Sequence, residues 1–253
     1  MKLFKNIKNW LENQEHLFYL FLFILIVPNM VLCFTEPLPF MAKVANVLLP
    51  FGCYYLLMTL SRNCGKMLWI LFLFLFFGAF QIVLLYLFGQ SIIAVDMFLN
   101  LVTTNSSEAL ELLDNLTPAI IAVIILYVPA LILGTISIIR KRKLTVEFIR
   151  RERKRAFLVF GISLLSLVGA YVQDSGYELK SDLYPLNVCY NVGLAFQRTA
   201  LTQDYHRTSK DFTFHARPTH PEGKREVYVM VIGETSRALN WQLYGYERET
   251  NPL

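Results

Sequence analysis

Residues 67–89 read MLWILFLFLFFGAFQIVLLYLFG, a run without a charged side chain in which Gln81 is the only strongly polar residue. A helix needs roughly 20 mostly apolar residues to cross a hydrocarbon core of about 30 Å. This run therefore predicts a transmembrane helix. The whole chain is 55% hydrophobic and 17% charged, a balance that favours a membrane protein over a soluble domain.

Four further apolar runs accompany this one, so the sequence predicts an all-α bundle of five transmembrane helices. Lys43 stands near the start of the second run, where its ammonium has to reach the membrane interface. Pro28 and Pro50 lie inside the first two runs and predict kinks there. The five predicted spans are residues 17–34, 40–60, 67–89, 118–139 and 156–172.

Basic residues are confined to alternate loops of this predicted bundle. The N-terminal arm and the loops at 61–66 and 140–155 carry Lys and Arg, whereas the loops at 35–39 and 90–117 carry none. By the positive-inside rule, the N-terminus and residues 140–155 are cytoplasmic, and residues 90–117 and 174–253 lie on the other side. The 140–155 cluster could instead bind anionic lipid or nucleic acid, but the regular alternation favours a topological role.

The composition becomes mixed and polar after the fifth run, and residues 174–226 predict an extracytoplasmic linker. Residues 227–232, VYVMVI, then form a short apolar run rich in β-branched side chains, which is typical of a buried strand. We expect this strand to begin an α/β domain at 227–253. Because so short a segment cannot bury a core around the strand, we expect the domain to continue in a longer protein.

A polar stripe is predicted within the outer loop, where four polar residues recur at steps of four. On a helix each such step turns only about 40°, so the four share one face. The pattern predicts an interfacial helix at about 91–113. The stripe is either the solvated face of a connector or a pocket in which Glu108 meets the ammonium of a lipid headgroup. Its members are Asp96, Asn100, Thr104 and Glu108.

A second candidate site directly follows the predicted strand, at Gly233-Glu234-Thr235-Ser236. Open α/β folds bind ligands at the carboxyl ends of their strands, where a carboxylate such as Glu234 is a candidate metal ligand. A helix N-cap predicts much the same residues. The sequence does not support Thr235 or Ser236 as a nucleophile, because the G-x-S-x-G motif that positions a nucleophilic serine is absent. The histidines and cysteines show no metal-ligand spacing.

The segment 227–253 resembles the start of the catalytic domain of the lipid A phosphoethanolamine transferases. This family includes the mobile colistin-resistance enzymes and belongs to the alkaline phosphatase and sulfatase superfamily. The resemblance rests on GETSRA at 233–238 and LYGYERETNP at 243–252, with Tyr244 where the family often has Asn. Five N-terminal membrane helices, an interfacial helix and a periplasmic catalytic domain are also what the family shows.

The resemblance implies an enzyme of the bacterial inner membrane with a periplasmic catalytic domain. Phosphoethanolamine would pass from phosphatidylethanolamine to lipid A or another envelope glycan through a covalent threonine intermediate at a zinc site. Glu234 matches a zinc ligand, and Asn100, Thr104 and Glu108 match residues near the donor headgroup. The nucleophile and the other zinc ligands are expected beyond residue 253, so we expect this chain alone to be inactive. The added ammonium would weaken binding of cationic peptides such as polymyxins.

Two alternatives stay open. A related transferase of the same superfamily could use another phospholipid headgroup, such as phosphatidylglycerol. A non-catalytic membrane anchor or lipid-binding module is the alternative from a different class. Glu108 separates the first alternative from the main hypothesis, because a glycerol headgroup offers no cation for a carboxylate to meet.

Overall fold

The computed structural model describes residues 10, 12–88 and 106–210 and a few isolated positions after 210. The chain divides into two units, Met1–Ser209 and Lys210–Leu253, and the fold described below is that of the first. No strand occurs among the described residues. The predicted strand at 227–232 lies outside them apart from Val229, so the expected α/β domain stays a prediction.

The first unit is helical throughout its described part. Its helices follow the apolar runs of the sequence and continue beyond the last of them. They are α1 Gln14–Thr35, α2 Phe40–Met58, α3 Cys64–Ile70, α4 Phe72–Phe88, α5 Ser106–Ile139, α6 Val146–Gln173, α7 Leu179–Asp182 and α8 Leu186–Thr208.

Four helices, α1, α2, α5 and α6, are long and apolar enough to cross a membrane, and α3 with α4 forms a fifth if the bent pair counts as one span. In α5 the apolar part is Leu116–Ile139. The helices are thus those of a multi-pass membrane protein, as predicted. The outward faces of α5 and α6 expose large apolar side chains such as Ile125 and Leu165, which lipid would cover in a membrane.

The third predicted span is not one straight helix, because α3 and α4 meet at an angle of 63°. No proline marks this bend. Gly65 of α3 lies directly against the backbone carbonyl of Gly134 in α5, where even a methyl group would clash. Trp69 Nε1 also donates a hydrogen bond of 3.1 Å to Thr135 Oγ1. These contacts hold α3 along α5, so the bend is set by tertiary packing.

The basic segments meet at one end of the bundle, which we call the basic end. Leu144 N–H donates to the Arg62 carbonyl over 2.7 Å, and Arg62 Nε donates to the Leu144 carbonyl over 2.9 Å. Arg142 NH1 donates to the Glu12 carbonyl over 3.0 Å. The N-terminal arm, the loop after α2 and the loop after α5 are therefore neighbours.

The prediction that the loop extends from 140 to 155 was wrong, because α6 already begins at Val146. Thr145 caps the helix by accepting a hydrogen bond from Phe148 N–H over 3.2 Å. Phe148 and Ile149 are buried, so the first turn is held in the bundle. Arg150 to Arg155 consequently lie on a helix, and only the residues before Val146 form the loop.

Two further segments differ from their predicted form. Residues 106–113, expected in a separate interfacial helix, are continuous with the following span in α5, and the remainder of that predicted helix lies outside the described residues. The predicted linker contains α7 and α8. Part of this segment packs back on the bundle, through buried residues such as Leu183, directly after α7, and Val188 at the start of α8.

Candidate functional site

The residues predicted to bind substrate and metal fall largely outside the described part. Asn100, Thr104 and Glu234 lie outside it, and of Glu108 only the helical backbone is described. That backbone belongs to α5, eight residues before the apolar part begins at Leu116. At 1.5 Å per residue, Glu108 stands about 12 Å along the helix from the start of the span, a distance compatible with the headgroup layer.

The structure does bring together a polar cluster at the end of the bundle opposite the basic end. Asn29 Nδ2 donates to the carbonyls of Asn46, over 2.9 Å, and Tyr184, over 2.6 Å. Asn46 Nδ2 donates to the Asp182 carbonyl over 2.6 Å, and Asn46 Oδ1 accepts from Tyr177 Oη over 2.6 Å. This asparagine cluster ties the chain after α6 to α1 and α2.

The residues of this cluster are almost completely buried. Asn29 is 1% exposed and Tyr177 is 2% exposed. A buried polar atom that loses its partner costs about 1–3 kcal/mol, more than the net gain from a typical hydrogen bond. Burial, together with the negative charge of Asp182, raises the pKa of Tyr177. The phenol therefore stays protonated and remains a donor to Asn46.

The ring of Tyr184 fills the space next to this cluster. A methyl group on Gly78 would come within 2.9 Å of Pro28 Cγ and of the Tyr127 hydroxyl, and within 3.5 Å of the Tyr184 hydroxyl. Gly78 thus leaves room for two tyrosines. Both hydroxyl groups are buried without a hydrogen-bond partner among the described residues, which is uncommon for buried polar atoms.

An apolar groove of about 330 Å³ lies beside Tyr54, between α2, α4, α6 and the segment 179–189. Its volume is in the range of small-molecule sites, roughly 300–1,000 Å³. Because its walls are hydrocarbon and aromatic surfaces with two cysteines, it suits a hydrocarbon chain better than a polar ligand. Its lining includes Leu49, Cys53, Tyr54, Phe74, Phe160, Leu183, Leu186 and Cys189.

A buried carboxylate that the sequence analysis missed lies toward the basic end. Glu152 is 0% exposed and accepts from Tyr55 Oη over 2.5 Å, Arg151 Nε over 2.7 Å and Arg155 NH1 over 2.9 Å. Charge-assisted bonds of this kind offset the cost of burying the carboxylate. The residue joins α6 to α2. Its one sequence signal was a single acid within RRERKR at 150–155.

No group of three or more His, Cys, Asp or Glu side chains that could hold a metal occurs among the described residues. The four cysteines are free. Zinc was predicted at Glu234, which lies outside those residues, so the zinc site stays a prediction.

Comparison with models of protein families, with curated proteins and with solved structures finds no match to this chain. The basis for a function is therefore the motif at residues 233–252 and the apolar groove of the membrane bundle.

Proposed function

We propose that this chain is the membrane bundle and the opening of the catalytic domain of a phosphoethanolamine transferase. The donor is phosphatidylethanolamine, and the acceptor is lipid A or another envelope glycan. The observation that carries the proposal is the paired signature GETSRA at 233–238 and LYGYERETNP at 243–252. Two such segments at this spacing are far more specific than a single short motif.

The bundle supports this proposal through its suitability for a lipid substrate. The donor stays in the membrane by its acyl chains, and the apolar groove beside Tyr54 offers hydrocarbon walls between the candidate spans α2 and α6. The proposal places one acyl chain of the donor in this groove. The ethanolamine ammonium meets Glu108 at the start of α5, with Asn100 and Thr104 beside it.

The chemistry takes place in the periplasmic domain that the proposal begins at residue 227. Zinc, bound in part by Glu234, would supply positive charge that stabilises the phosphate and lowers the pKa of the nucleophile. The threonine oxygen bonds to phosphorus, and the bond from phosphorus to the diacylglycerol oxygen breaks as that oxygen takes a proton. An acceptor oxygen then displaces the threonine, which regains its proton.

The proposed orientation puts the basic end in the cytoplasm and residues 174–253 in the periplasm of a bacterial inner membrane. It is supported by the contact between Arg62 and Leu144, which brings two basic loops to one side of the bundle. Reporter fusions test it. A cytoplasm-specific reporter active after residue 200 would overturn the orientation, and the periplasmic chemistry with it.

The experiment that tests the function follows the donor. Cells without other such transferases are given phosphatidylethanolamine labelled in its headgroup and express the transferase with a complete catalytic domain. Label on lipid A or another envelope glycan, together with diacylglycerol release, supports the proposal. A non-catalytic lipid-binding module, which the apolar groove would also suit, would leave the acceptor unlabelled and release no diacylglycerol, and that result would overturn the proposal.

A further inference from the structure

A second cavity, of about 480 Å³, opens at the basic end between the loop after α2 and the first turns of α6. Four cationic side chains line it, namely Arg62, Arg150, Arg153 and Lys154. Its other walls are the apolar residues Val146, Ile149 and Phe157. We call this cavity the basic groove.

The α6 residues of the basic groove share one face of the helix, because they recur at steps of three and four. Arg153 is fixed by a hydrogen bond of 2.7 Å from its NH2 to the Thr59 carbonyl. Arg62 is fixed by its bond to the Leu144 carbonyl. Two of the four cations are thus held by backbone oxygens, which leave their positive charge uncompensated.

No carboxylate lines the basic groove. The buried carboxylate of Glu152 is bonded to Tyr55, Arg151 and Arg155, none of which belongs to the groove. Arg150 and Lys154 form no ion pair within the described part of the chain. Four positive charges therefore converge on one cavity with no negative partner in its walls.

We propose that the basic groove binds the headgroup of an anionic phospholipid, such as phosphatidylglycerol. Basic pockets between membrane helices are suited to such headgroups, and each nearby Lys or Arg contributes to the attraction. The apolar wall decides between a lipid and a free phosphate. Phe157 is 61% exposed and is followed by exposed Leu158 on the same apolar helix, so a lipid covers both the cations and this hydrocarbon surface.

This site is separate from the donor site, and it stands whether or not the protein transfers phosphoethanolamine. It joins the loop after α2, through Arg62, to α6. We therefore expect the bound lipid to stabilise the contact between these two elements at the membrane surface. It also extends the role of the basic cluster, whose residues serve in lipid binding as well as in setting topology.

The test uses the purified 253-residue chain in nanodiscs of phosphatidylcholine with increasing phosphatidylglycerol. The preference for the anionic lipid is measured with spin-labelled lipids. The groove variant is Arg150→Gln with Lys154→Gln. The control variant, Lys141→Gln with Lys143→Gln, removes the same charge from two exposed residues outside the groove. Gel filtration and helix content establish that each variant is folded.

The wild-type chain and the control should prefer phosphatidylglycerol over phosphatidylcholine. In the groove variant this preference should be roughly tenfold weaker. If the groove variant fails to fold, a photo-crosslinking residue at position 157 of the otherwise wild-type chain gives the answer, and it should label phosphatidylglycerol more than phosphatidylcholine. Equal loss in both variants would overturn the proposal. Equal labelling of phosphatidylglycerol and phosphatidylcholine would also overturn it. Displacement of the lipid by millimolar inorganic phosphate alone would overturn it as well.

Discussion

Asn29 of α1 donates a hydrogen bond of 2.6 Å to the carbonyl of Tyr184, which lies 155 residues further along the chain. The same amide donates to the Asn46 carbonyl in α2. One side chain in the first span therefore holds together three segments that are distant in sequence. As a result, the chain after α6 returns to the bundle.

Asn29→Leu should destabilise the bundle, because the substitution removes both hydrogen bonds and leaves the Tyr184 carbonyl buried without this donor. The expected loss is about 1–3 kcal/mol, seen as a lower midpoint of thermal unfolding in detergent. Faster proteolysis within residues 177–184 should accompany it. Met30→Leu, at the neighbouring exposed position, is the control and should change neither. A variant as stable as wild type would show that the asparagine cluster does not secure this segment.

Two tyrosines give a matched comparison within the bundle. Tyr177→Phe removes the 2.6 Å hydrogen bond to Asn46 Oδ1 and should cost about 1–3 kcal/mol, because that oxygen is left buried. Tyr127→Phe removes a buried hydroxyl that has no partner among the described residues, so stability should be kept or increased. Thermal unfolding of both proteins in the same detergent checks the difference. A greater loss from Tyr127→Phe would contradict the assigned contacts.

Two glycines within helices give a second matched comparison. A methyl group on Gly78 would press on Pro28 and on the Tyr127 hydroxyl, whereas one on Gly161 would meet nothing within 4 Å. Gly78→Ala should therefore cost roughly 1–3 kcal/mol through overpacking, and Gly161→Ala should be neutral or mildly stabilising. Denaturation midpoints measure both. Equal effects would mean that Pro28 and Tyr127 are not packed against Gly78 as described.

The length and apolarity of the spans could be predicted from the sequence because both are local properties. The bend between α3 and α4 could not, since it depends on contact between Gly65 and Gly134, far apart in the chain. The start of α6 did carry a local signal, the capping residue Thr145. The net positive charge of residues 140–155 could be read from the sequence. The ion pairs of Glu152 and the grouping of four cations around the basic groove could not, because both depend on which residues share a helix face.

The predicted site residues are a different case, because their pattern indicates chemistry without fixing geometry. Steps of four along the chain place Asn100, Thr104 and Glu108 on one helix face only if that segment is helical. The described start of α5 makes residue 108 helical. The signature after residue 232 predicts the role of Glu234 by resemblance alone.

Glu108→Gln should reduce donor binding by this chain in nanodiscs, because it keeps the shape of the side chain and removes the charge that meets the ammonium. A hydrogen bond to a charged group is worth about 1.5–3 kcal/mol, so roughly tenfold or more in affinity is expected to be lost. Competition between phosphatidylethanolamine and phosphatidylglycerol measures it, with Arg150→Gln and Lys154→Gln present in both proteins so that the basic groove contributes little.

Asp114→Asn serves as the control for Glu108→Gln, because it lies about 120° around the same helix and should have no effect. Unchanged preference for phosphatidylethanolamine in Glu108→Gln would return the polar stripe to a solvated helix face. A wild-type preference for phosphatidylglycerol at the donor site would favour the related transferase that uses another headgroup.

The most direct test of the central claim is the mass of lipid A from cells that lack other such transferases and express the transferase with a complete catalytic domain. The wild-type protein should add phosphoethanolamine, and Glu234→Ala should abolish the addition and lower the zinc content of the purified protein. Glu247→Ala should retain both, because Glu247 occupies one of the unspecified positions in the family pattern L-x-G-Y-x-R-E-T-x-P at 243–252. Full transfer and full zinc occupancy in Glu234→Ala would contradict the assignment of this residue and the function proposed from it.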